Sequence, residues 1–164
     1  GAGFPVHQHH GGAHPDHHAD KRVRDHHRVF HLQFFVEVVD VHEAVAADVD
    51  TLLEPRRAVV ECLLELVDAG WTCGIVDNAP PVVASHLRST HPWLGELDAV
   101  TFSCDIGVAK PDAAAYRVAV DAMGAKLTST VYFDHREQWV EAAAELGMRA
   151  ILFTDPDDVR KALA

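Results

Sequence analysis

From Pro55 onwards, segments with a helical period of apolar residues alternate with short, nearly continuous apolar runs. The periodic segments are typical of amphipathic helices, and glycine ends three of them. They predict helices over residues 55–69, 80–89, 112–123 and 138–146, and a last helix from Asp157. The short runs predict buried strands over residues 71–76, 99–103, 130–133 and 149–153. Strands that alternate with helices of this length form a parallel, doubly wound α/β sheet with helices on both faces.

The segment before this regular region, residues 29–54, has a different apolar pattern. Residues 29–40 are rich in aromatic and β-branched side chains and predict a nearly fully buried strand. An apolar run of this length is also compatible with a helix. Residues 42–50 are rich in alanine and predict a helix. The segment therefore adds either a further strand or helical structure to the α/β core of residues 55–164.

Histidine is concentrated at the start of the chain, where ten of the thirteen histidines precede residue 43. Residues 1–28 have no apolar period and are mainly Gly, His, Asp and Arg, which cannot bury enough surface to offset the entropy of ordering. We therefore expect a disordered or loosely attached tail, or a mistranslated start. A metal-handling tail is an alternative, because imidazole binds zinc, nickel and copper. The histidine pairs at 9–10 and 17–18 lack the Cys or carboxylate partners of a closed site.

The overall composition restricts the class of partner. A chain of 164 residues, 48% of them apolar, suits one soluble domain. Its net charge of -11 argues against nucleic acid, because nucleic-acid binding needs Lys and Arg along the phosphates. The sequence has neither the long apolar run of a membrane span nor the charge pattern of a signal peptide. Cys62, Cys73 and Cys104 show no C-x-x-C spacing and predict reduced, mostly buried thiols, so we expect a cytoplasmic protein.

Polar residues follow three of the predicted strands. Asp77 and Asn78 follow the first strand of the regular region, Lys110 lies in the loop after the second, and Asp134 and His135 follow the third. In parallel sheets of this kind ligands bind beyond the carboxyl ends of the strands, so these five residues form the candidate site. Each residue alone is a weak indication, because Asp and Asn at strand ends commonly cap turns or helices.

The sequence around these residues resembles motifs II, III and IV of the haloacid dehalogenase-like (HAD-like) hydrolases. The matching segments are residues 74–81, 102–112 and 131–136, and Gly-x-x-Lys-Pro-Asp at 107–112 is the most specific piece. The resemblance covers about residues 46–164 and implies a Rossmann-like parallel sheet of the HAD type. Response-regulator receiver domains also contain Lys-Pro, but their acidic residues precede the lysine. Here Asp134 follows the lysine, which favours the hydrolases.

The resemblance also implies a chemistry for each residue of the site. In the family an aspartate attacks phosphorus, or carbon in the dehalogenases, and the phosphatases bind Mg²⁺. By resemblance Lys110 is a catalytic residue that neutralises the nucleophile and a small anionic substrate. Asp77 and Asn78 are the expected substrate contacts. Asp134 and His135 occupy the metal-binding position of motif IV.

Motif I, a buried strand that ends in Asp-x-Asp, is not recognisable. Its strand is central in the family's sheet, and residues 29–40 are the candidates for that place. Asp40 is then the nearest candidate nucleophile, with His42 as a proton shuttle. Residues 47–55, however, resemble the end of the helical cap found between motifs I and II. On that reading residues 29–54 are a cap remnant, and the domain is truncated or degenerate at its N-terminus.

Two further positions depart from the family pattern. Asp77 replaces a hydroxyl that donates a hydrogen bond to phosphate, and its charge would repel that anion. His135 replaces a carboxylate, which weakens a site for Mg²⁺ because this ion prefers oxygen ligands. Together with the missing motif I, these changes predict little or no Mg²⁺-dependent phosphatase activity.

Three hypotheses for function follow. The leading one is a HAD-like hydrolase relative of phosphatase or haloacid-dehalogenase type, either without present activity or active through Asp40. The second is a non-catalytic HAD-like module that binds a ligand or protein at the retained strand ends. The third is a metal-handling protein that works through the tail of residues 1–28. If the motif I strand is absent, unpaired strands would favour pairing with another chain, so a homo-oligomer stays open.

Overall fold

Five parallel strands form one sheet in the part of the chain that the structure, a computed structural model, describes: residues 31–33 and 55–163. The strands are β1 (His31–Gln33), β2 (Thr72–Asp77), β3 (Ala99–Phe102), β4 (Thr130–Asp134) and β5 (Arg149–Leu152). Their order across the sheet is β3-β2-β1-β4-β5, and every neighbouring pair is parallel. The structure therefore confirms the predicted parallel α/β sheet.

Six α-helices accompany these strands within the same described ranges. They are α1 (Arg57–Asp68), α2 (Pro81–Thr90), α3 (Ser103–Ile106), α4 (Ala113–Ala122), α5 (Glu137–Glu145) and α6 (Pro156–Leu163). Short 3₁₀ helices at Pro92–Glu96 and Leu127–Ser129 lead into β3 and β4. The five longer α-helices match the predicted helices to within a few residues. Gly70 and Gly147 follow α1 and α5 with φ of 86° and 88°, a backbone conformation that ends a helix and that glycine adopts without strain.

The helices cover both faces of the sheet, as a doubly wound fold requires. Helices α1, α2 and α6 pack on one face, against strand residues that include Cys73, Ile75 and Phe133. Helices α4 and α5 pack on the other face, against Val76 and Tyr132. Side chains alternate between the two faces along each strand, so a buried strand needs apolar residues at consecutive positions. This explains why these strands have nearly continuous apolar sequences.

Strand β1 lies at the centre of the sheet, where Gln33 pairs with Gly74 of β2 and with Tyr132 of β4. Its residues fall inside the segment 29–40, for which a buried strand is predicted, and it takes the central place that the resemblance assigns to the motif I strand. The remaining N-terminal predictions lie outside the described residues. They are the tail 1–28 with its metal-handling hypothesis, the cap remnant apart from residues 31–33, the alanine-rich helix 42–50, and the candidates Asp40 and His42.

The three cysteines are free thiols. Cys62 and Cys73 are buried and Cys104 is half-buried, in agreement with the sequence prediction. Within the described ranges, none of the helices combines the length and apolar character needed to cross a bilayer.

Candidate active site at the carboxyl edge of the sheet

Three charged side chains are buried at the carboxyl edge of the sheet. Asp77 is the last residue of β2, Asp134 is the last residue of β4, and Lys110 comes from the loop between α3 and α4. The exposed fractions of the whole residues are 3%, 0% and 3% respectively. Charged residues are almost never fully buried unless they are paired, so this cluster has a specific structural or chemical role. The structure thus brings together the three residues that the sequence placed at strand ends.

Both carboxylate oxygens of Asp134 accept hydrogen bonds from the protein. Oδ2 accepts from the Lys110 ammonium at 3.1 Å and from the Tyr132 hydroxyl at 2.5 Å. Oδ1 accepts from the main-chain N–H of Arg136 at 2.9 Å, and Nδ1 of His135 lies 3.5 Å from it. Burial, reinforced by the Asp134 charge, raises the pKa of Tyr132 far above its usual value, so its hydroxyl remains a donor. The carboxylate is therefore held firmly at the end of β4.

The ammonium group of Lys110 also lies on an aromatic ring. Its Nζ is 4.2 Å from the centre of the Trp139 ring, and the guanidinium carbon of Arg136 is 4.7 Å from the same centre. An aromatic face attracts cations and compensates part of the hydration that Lys110 loses. Burial nevertheless lowers the pKa of Lys110 to about 8, against the opposing effects of Asp134 and Asp77. The lysine stays mainly charged near neutral pH, with its charge directed at Asp134.

Asn78 fixes the loop that carries Lys110. Its side-chain Nδ2 donates to the Lys110 main-chain oxygen at 2.8 Å, and its Oδ1 accepts from the Lys110 N–H at 2.8 Å. Both ends of the amide are thus engaged with the main chain of one residue. The predicted substrate contact of Asn78 stays a prediction, and the structure adds a positioning role that the sequence did not indicate.

Asp77 is the least compensated member of the cluster. Its Oδ2 is buried and has no hydrogen-bond partner among the described residues. Burial raises the pKa of Asp77 to about 6, although the positive charge of Lys110 opposes this shift. The neutral form of the carboxyl group is therefore favoured in mildly acidic solution. At neutral pH the group places a negative charge where the family pattern has a neutral hydroxyl.

The described residues do not fit Mg²⁺, the cofactor that the resemblance implies. Mg²⁺ binds oxygen ligands in near-octahedral geometry and usually keeps several waters. Asp134 already directs both oxygens at protein donors, and the half-buried His135 would offer nitrogen. Across residues 31–33 and 55–163, no group of three or more His, Cys, Asp or Glu side chains is arranged to hold a metal ion.

A pocket of about 340 Å³ lies beside the buried cluster. It is lined by Asn78, Ala79, Pro80, Ser103, Cys104, Gly107, Val108 and Ala109. These residues follow β2 and β3, so the pocket opens at the edge where ligands of parallel sheets bind. Sequence reasoning predicted the position of this pocket but did not select Ser103, whose hydroxyl donates to the Ala79 oxygen at 3.4 Å.

Tyr132 and Trp139 are the other two site residues that sequence reasoning missed. Tyr132 lies two residues before Asp134 on the same strand, so the alternation of strand side chains places both on one face. That spacing was the available signal. Trp139 lies in α5, where an apolar residue is expected to face the sheet, and nothing local indicates its contact with Lys110.

Comparison with known proteins agrees with the geometry of the sheet edge. A family model for haloacid dehalogenase-like hydrolases matches residues 6–147. The chain belongs to this family. The match to the HAD-like hydrolases begins well before residue 46, where the motif resemblance begins, and it includes β1 as well as motifs II to IV.

Similar proteins include a curated phosphatase. The chain is 46% identical over 84 residues to Phosphatase MT3486 of Mycobacterium tuberculosis (strain CDC 1551 / Oshkosh). The match covers 51% of this chain and 39% of that protein, so it spans about two fifths of the relative's length.

Solved structures of the HAD-like fold are similar as well. An uncharacterised protein from Corynebacterium glutamicum ATCC 13032 Kitasato has a TM-score of 0.62 and 24% identity, covering 83% of this chain and 93% of that one. A HAD phosphatase from Thermococcus onnurineus has a TM-score of 0.62 and 19% identity, and the match covers 74% of this chain and 66% of that one. At these identities the likeness supports the fold, and the residues of this chain must support its chemistry.

Proposed function

We propose that this chain is a HAD-like hydrolase relative of the phosphatase type that has little or no Mg²⁺-dependent phosphatase activity. The phosphatase type is supported by the segment that is 46% identical to Phosphatase MT3486. The expected ligand is a small phosphorylated compound, held at the carboxyl edge of the sheet. The free cysteines favour a reducing compartment, so the cytoplasm is the expected location.

The balance of charge in the buried cluster carries this proposal. Two carboxylates, Asp77 and Asp134, share one ammonium group, that of Lys110, which lies 3.1 Å from Asp134. A phosphoryl group in transfer needs positive charge and hydrogen-bond donors around its oxygens. Lys110 is already neutralised by Asp134, and ionised Asp77 offers an acceptor where a donor is required. At neutral pH the cluster therefore disfavours both a phosphate ester and its transition state.

Turnover of an aryl phosphate tests the proposal. The full chain is assayed with p-nitrophenyl phosphate, with Mg²⁺ and with EDTA, beside an active HAD-like phosphatase as positive control. We expect a rate near the enzyme-free background in both conditions. Robust Mg²⁺-dependent turnover that Asp40→Asn abolishes without loss of fold would instead make Asp40 the nucleophile. The protein would then be an active enzyme.

The pocket beside the cluster favours a second candidate, a non-catalytic binding module. The pocket is a groove open to solvent, of about 340 Å³, with Asn78 and Ser103 at its wall. The module would bind an organophosphate without hydrolysing it. A screen of organophosphates by thermal shift, with hydrolysis followed in the same samples, separates this candidate from the first. Light scattering of the same protein shows whether the chain forms a homo-oligomer.

The metal-handling alternative concerns residues 1–28, outside the described part of the chain. It predicts that the full chain binds Zn²⁺ or Ni²⁺ and that a variant without these residues does not. Calorimetric titration of both proteins tests it.

A further inference from the structure

We infer that Asp134 anchors Lys110 within the protein core and is not a metal ligand, so the buried charge cluster is complete without a divalent cation. This inference is separate from the proposed lack of turnover, because a protein without phosphatase activity could still bind Mg²⁺ at this site. It concerns the role of one carboxylate, which can be measured without a substrate.

The first argument is the number of donors around the carboxylate. An ionised carboxylate has about four acceptor sites on its two oxygens. Three are used, by the Lys110 ammonium, the Tyr132 hydroxyl and the Arg136 N–H, at distances of 3.1, 2.5 and 2.9 Å. The His135 ring nitrogen also lies 3.5 Å from Oδ1. A cation that approached an oxygen from the direction of one of the three donors would have to displace that donor.

The second argument is burial. Asp134 and Lys110 side chains are both 0% exposed, and the ammonium group lies directly against Oδ2. Mg²⁺ dehydrates reluctantly and needs room for several waters. A dication at Oδ2 would also be repelled by the adjacent ammonium, and the repulsion is strong where water is excluded. Lys110 therefore holds the place that a metal would need.

The third argument is that the donors around Asp134 belong to a packed structural network. The Tyr132 ring meets the Tyr116 ring edge-on, with centroids 5.4 Å apart. The Tyr116 hydroxyl in turn donates to the main-chain oxygen of Trp139 at 3.0 Å, and the Trp139 ring lies under the Lys110 ammonium. Strand β4 and helices α4 and α5 are thus joined by a chain of contacts that begins and ends at the Lys110–Asp134 pair. Such a network has a fixed geometry, which a structural anchor needs.

The two roles of Asp134 predict different effects of Asp134→Asn in EDTA and in Mg²⁺. If Asp134 is an anchor, the substitution removes the carboxylate that faces the buried Lys110 ammonium, and we expect the melting temperature in EDTA to fall by roughly 6 °C or more, with Mg²⁺ changing neither protein. If Asp134 is a metal ligand, millimolar Mg²⁺ raises the melting temperature of the unaltered protein, and Asp134→Asn removes that rise. An unchanged melting temperature of Asp134→Asn in EDTA, or a rise with Mg²⁺ that this substitution removes, therefore overturns the inference.

Asp105→Asn is the matched control for this measurement. It removes the same charge from an exposed ion pair, that of Asp105 with Arg88. Exposed pairs contribute little to stability, so we expect a change within about 2 °C. If Asp134→Asn does not fold at all, Tyr132→Phe removes a single donor from Oδ2. That variant should lower the melting temperature by a few degrees, whereas an unchanged value counts against the anchor.

A spectroscopic measurement on the unaltered protein tests the metal directly. The amide of Arg136 donates to Asp134 Oδ1, so its nitrogen and proton chemical shifts report on that oxygen. We expect this resonance to stay in place when millimolar Mg²⁺ is added to metal-free protein. A saturable shift of the Arg136 resonance would show Mg²⁺ at Asp134, provided that the amide resonances around the exposed Arg88–Asp105 pair do not shift in the same way. That result would overturn the inference whatever the melting temperatures.

Discussion

The side-chain amide of Asn78 makes two hydrogen bonds of 2.8 Å with the main chain of Lys110, one through its nitrogen and one through its oxygen. The end of β2 is thereby tied to the loop that carries the buried lysine. Because that loop lacks strand partners of its own, these two bonds fix the direction from which Lys110 enters the core. A positioning role of this kind can be tested by stability as well as by activity.

Replacing Asn78 with alanine should loosen the Lys110 loop. The substitution leaves a half-buried main-chain donor and acceptor of Lys110 without their partner, and we expect a loss of about 1–3 kcal/mol in unfolding free energy. Urea unfolding measures the loss, and hydrogen exchange of the Lys110 amide shows whether it is local. Ser129→Ala, which removes an exposed bond to the Lys126 oxygen, is the control. Equal stability of the two variants would contradict the positioning role.

Gly74 is required by the close approach of β2 to β3 and to Met123. A Cβ at this position would lie 2.7 Å from Met123 Sδ and 3.0 Å from the Ala99 main-chain oxygen. The methionine can move, but the Ala99 oxygen belongs to the neighbouring strand. We therefore expect Gly74→Ala to lower the unfolding free energy by about 1–3 kcal/mol in urea unfolding. At Gly95 an added Cβ meets nothing within 4 Å, so Gly95→Ala should change the unfolding free energy little. A similar loss of unfolding free energy in Gly95→Ala would point to a general effect of the methyl group.

Much of the fold follows from local pattern, because buried parallel strands and amphipathic helices leave different periods in the sequence. Strands 130–133 and 149–153 were predicted to within one residue of β4 and β5. Helix α3 was not predicted, because the four residues Ser103–Ile106 are too short to show a helical period. The 3₁₀ helices were missed for the same reason.

The positions of the site residues that follow from strand ends were predictable from the sequence. The contacts that depend on tertiary packing were not. The ends of β2 and β4 place Asp77 and Asp134 at one edge in any parallel sheet, and the loop that follows β3 brings Lys110 to the same edge. The complete burial of Lys110 depends on the Trp139 ring and on Tyr132, which local sequence does not connect with it. The pairing of Asn78 with the Lys110 main chain likewise arises only in the folded chain.

The stability of the protein should depend on pH through Asp77. Burial raises its pKa from 3.8 to about 6, so the folded state holds this proton more tightly than the unfolded state. The stabilisation from Asp77 is then complete below about pH 4 and is lost as the pH rises through about 6. Relative to the unaltered protein, Asp77→Asn should gain on the order of 2–3 kcal/mol between about pH 4 and about pH 7.

Urea unfolding of both proteins across this pH range measures the difference, with Asp105→Asn as the control. The Arg88 guanidinium holds the pKa of Asp105 below its usual value. Protonation of Asp105 therefore changes the stability of the protein only below about pH 4. The difference between Asp105→Asn and the unaltered protein should therefore be flat over the range. Parallel profiles for Asp77→Asn and the unaltered protein would contradict the burial effect at Asp77.

Restoring the two altered family positions should not restore catalysis. In the double variant Asp77→Ser and His135→Asp, a hydroxyl can donate to phosphate again and a second carboxylate is available beside Asp134. These changes favour binding of the phosphate and of a cation, but they supply no attacking group. Positioned charge accelerates a reaction only when a nucleophile can reach the substrate. We expect aryl phosphate turnover with Mg²⁺ to remain at least ~10³-fold below that of an active HAD-like phosphatase assayed in parallel. Turnover in the double variant that approaches the positive control and is lost on Asp40→Asn would show that residues 34–54 already provide the nucleophile, and that only phosphate and metal binding had been lost.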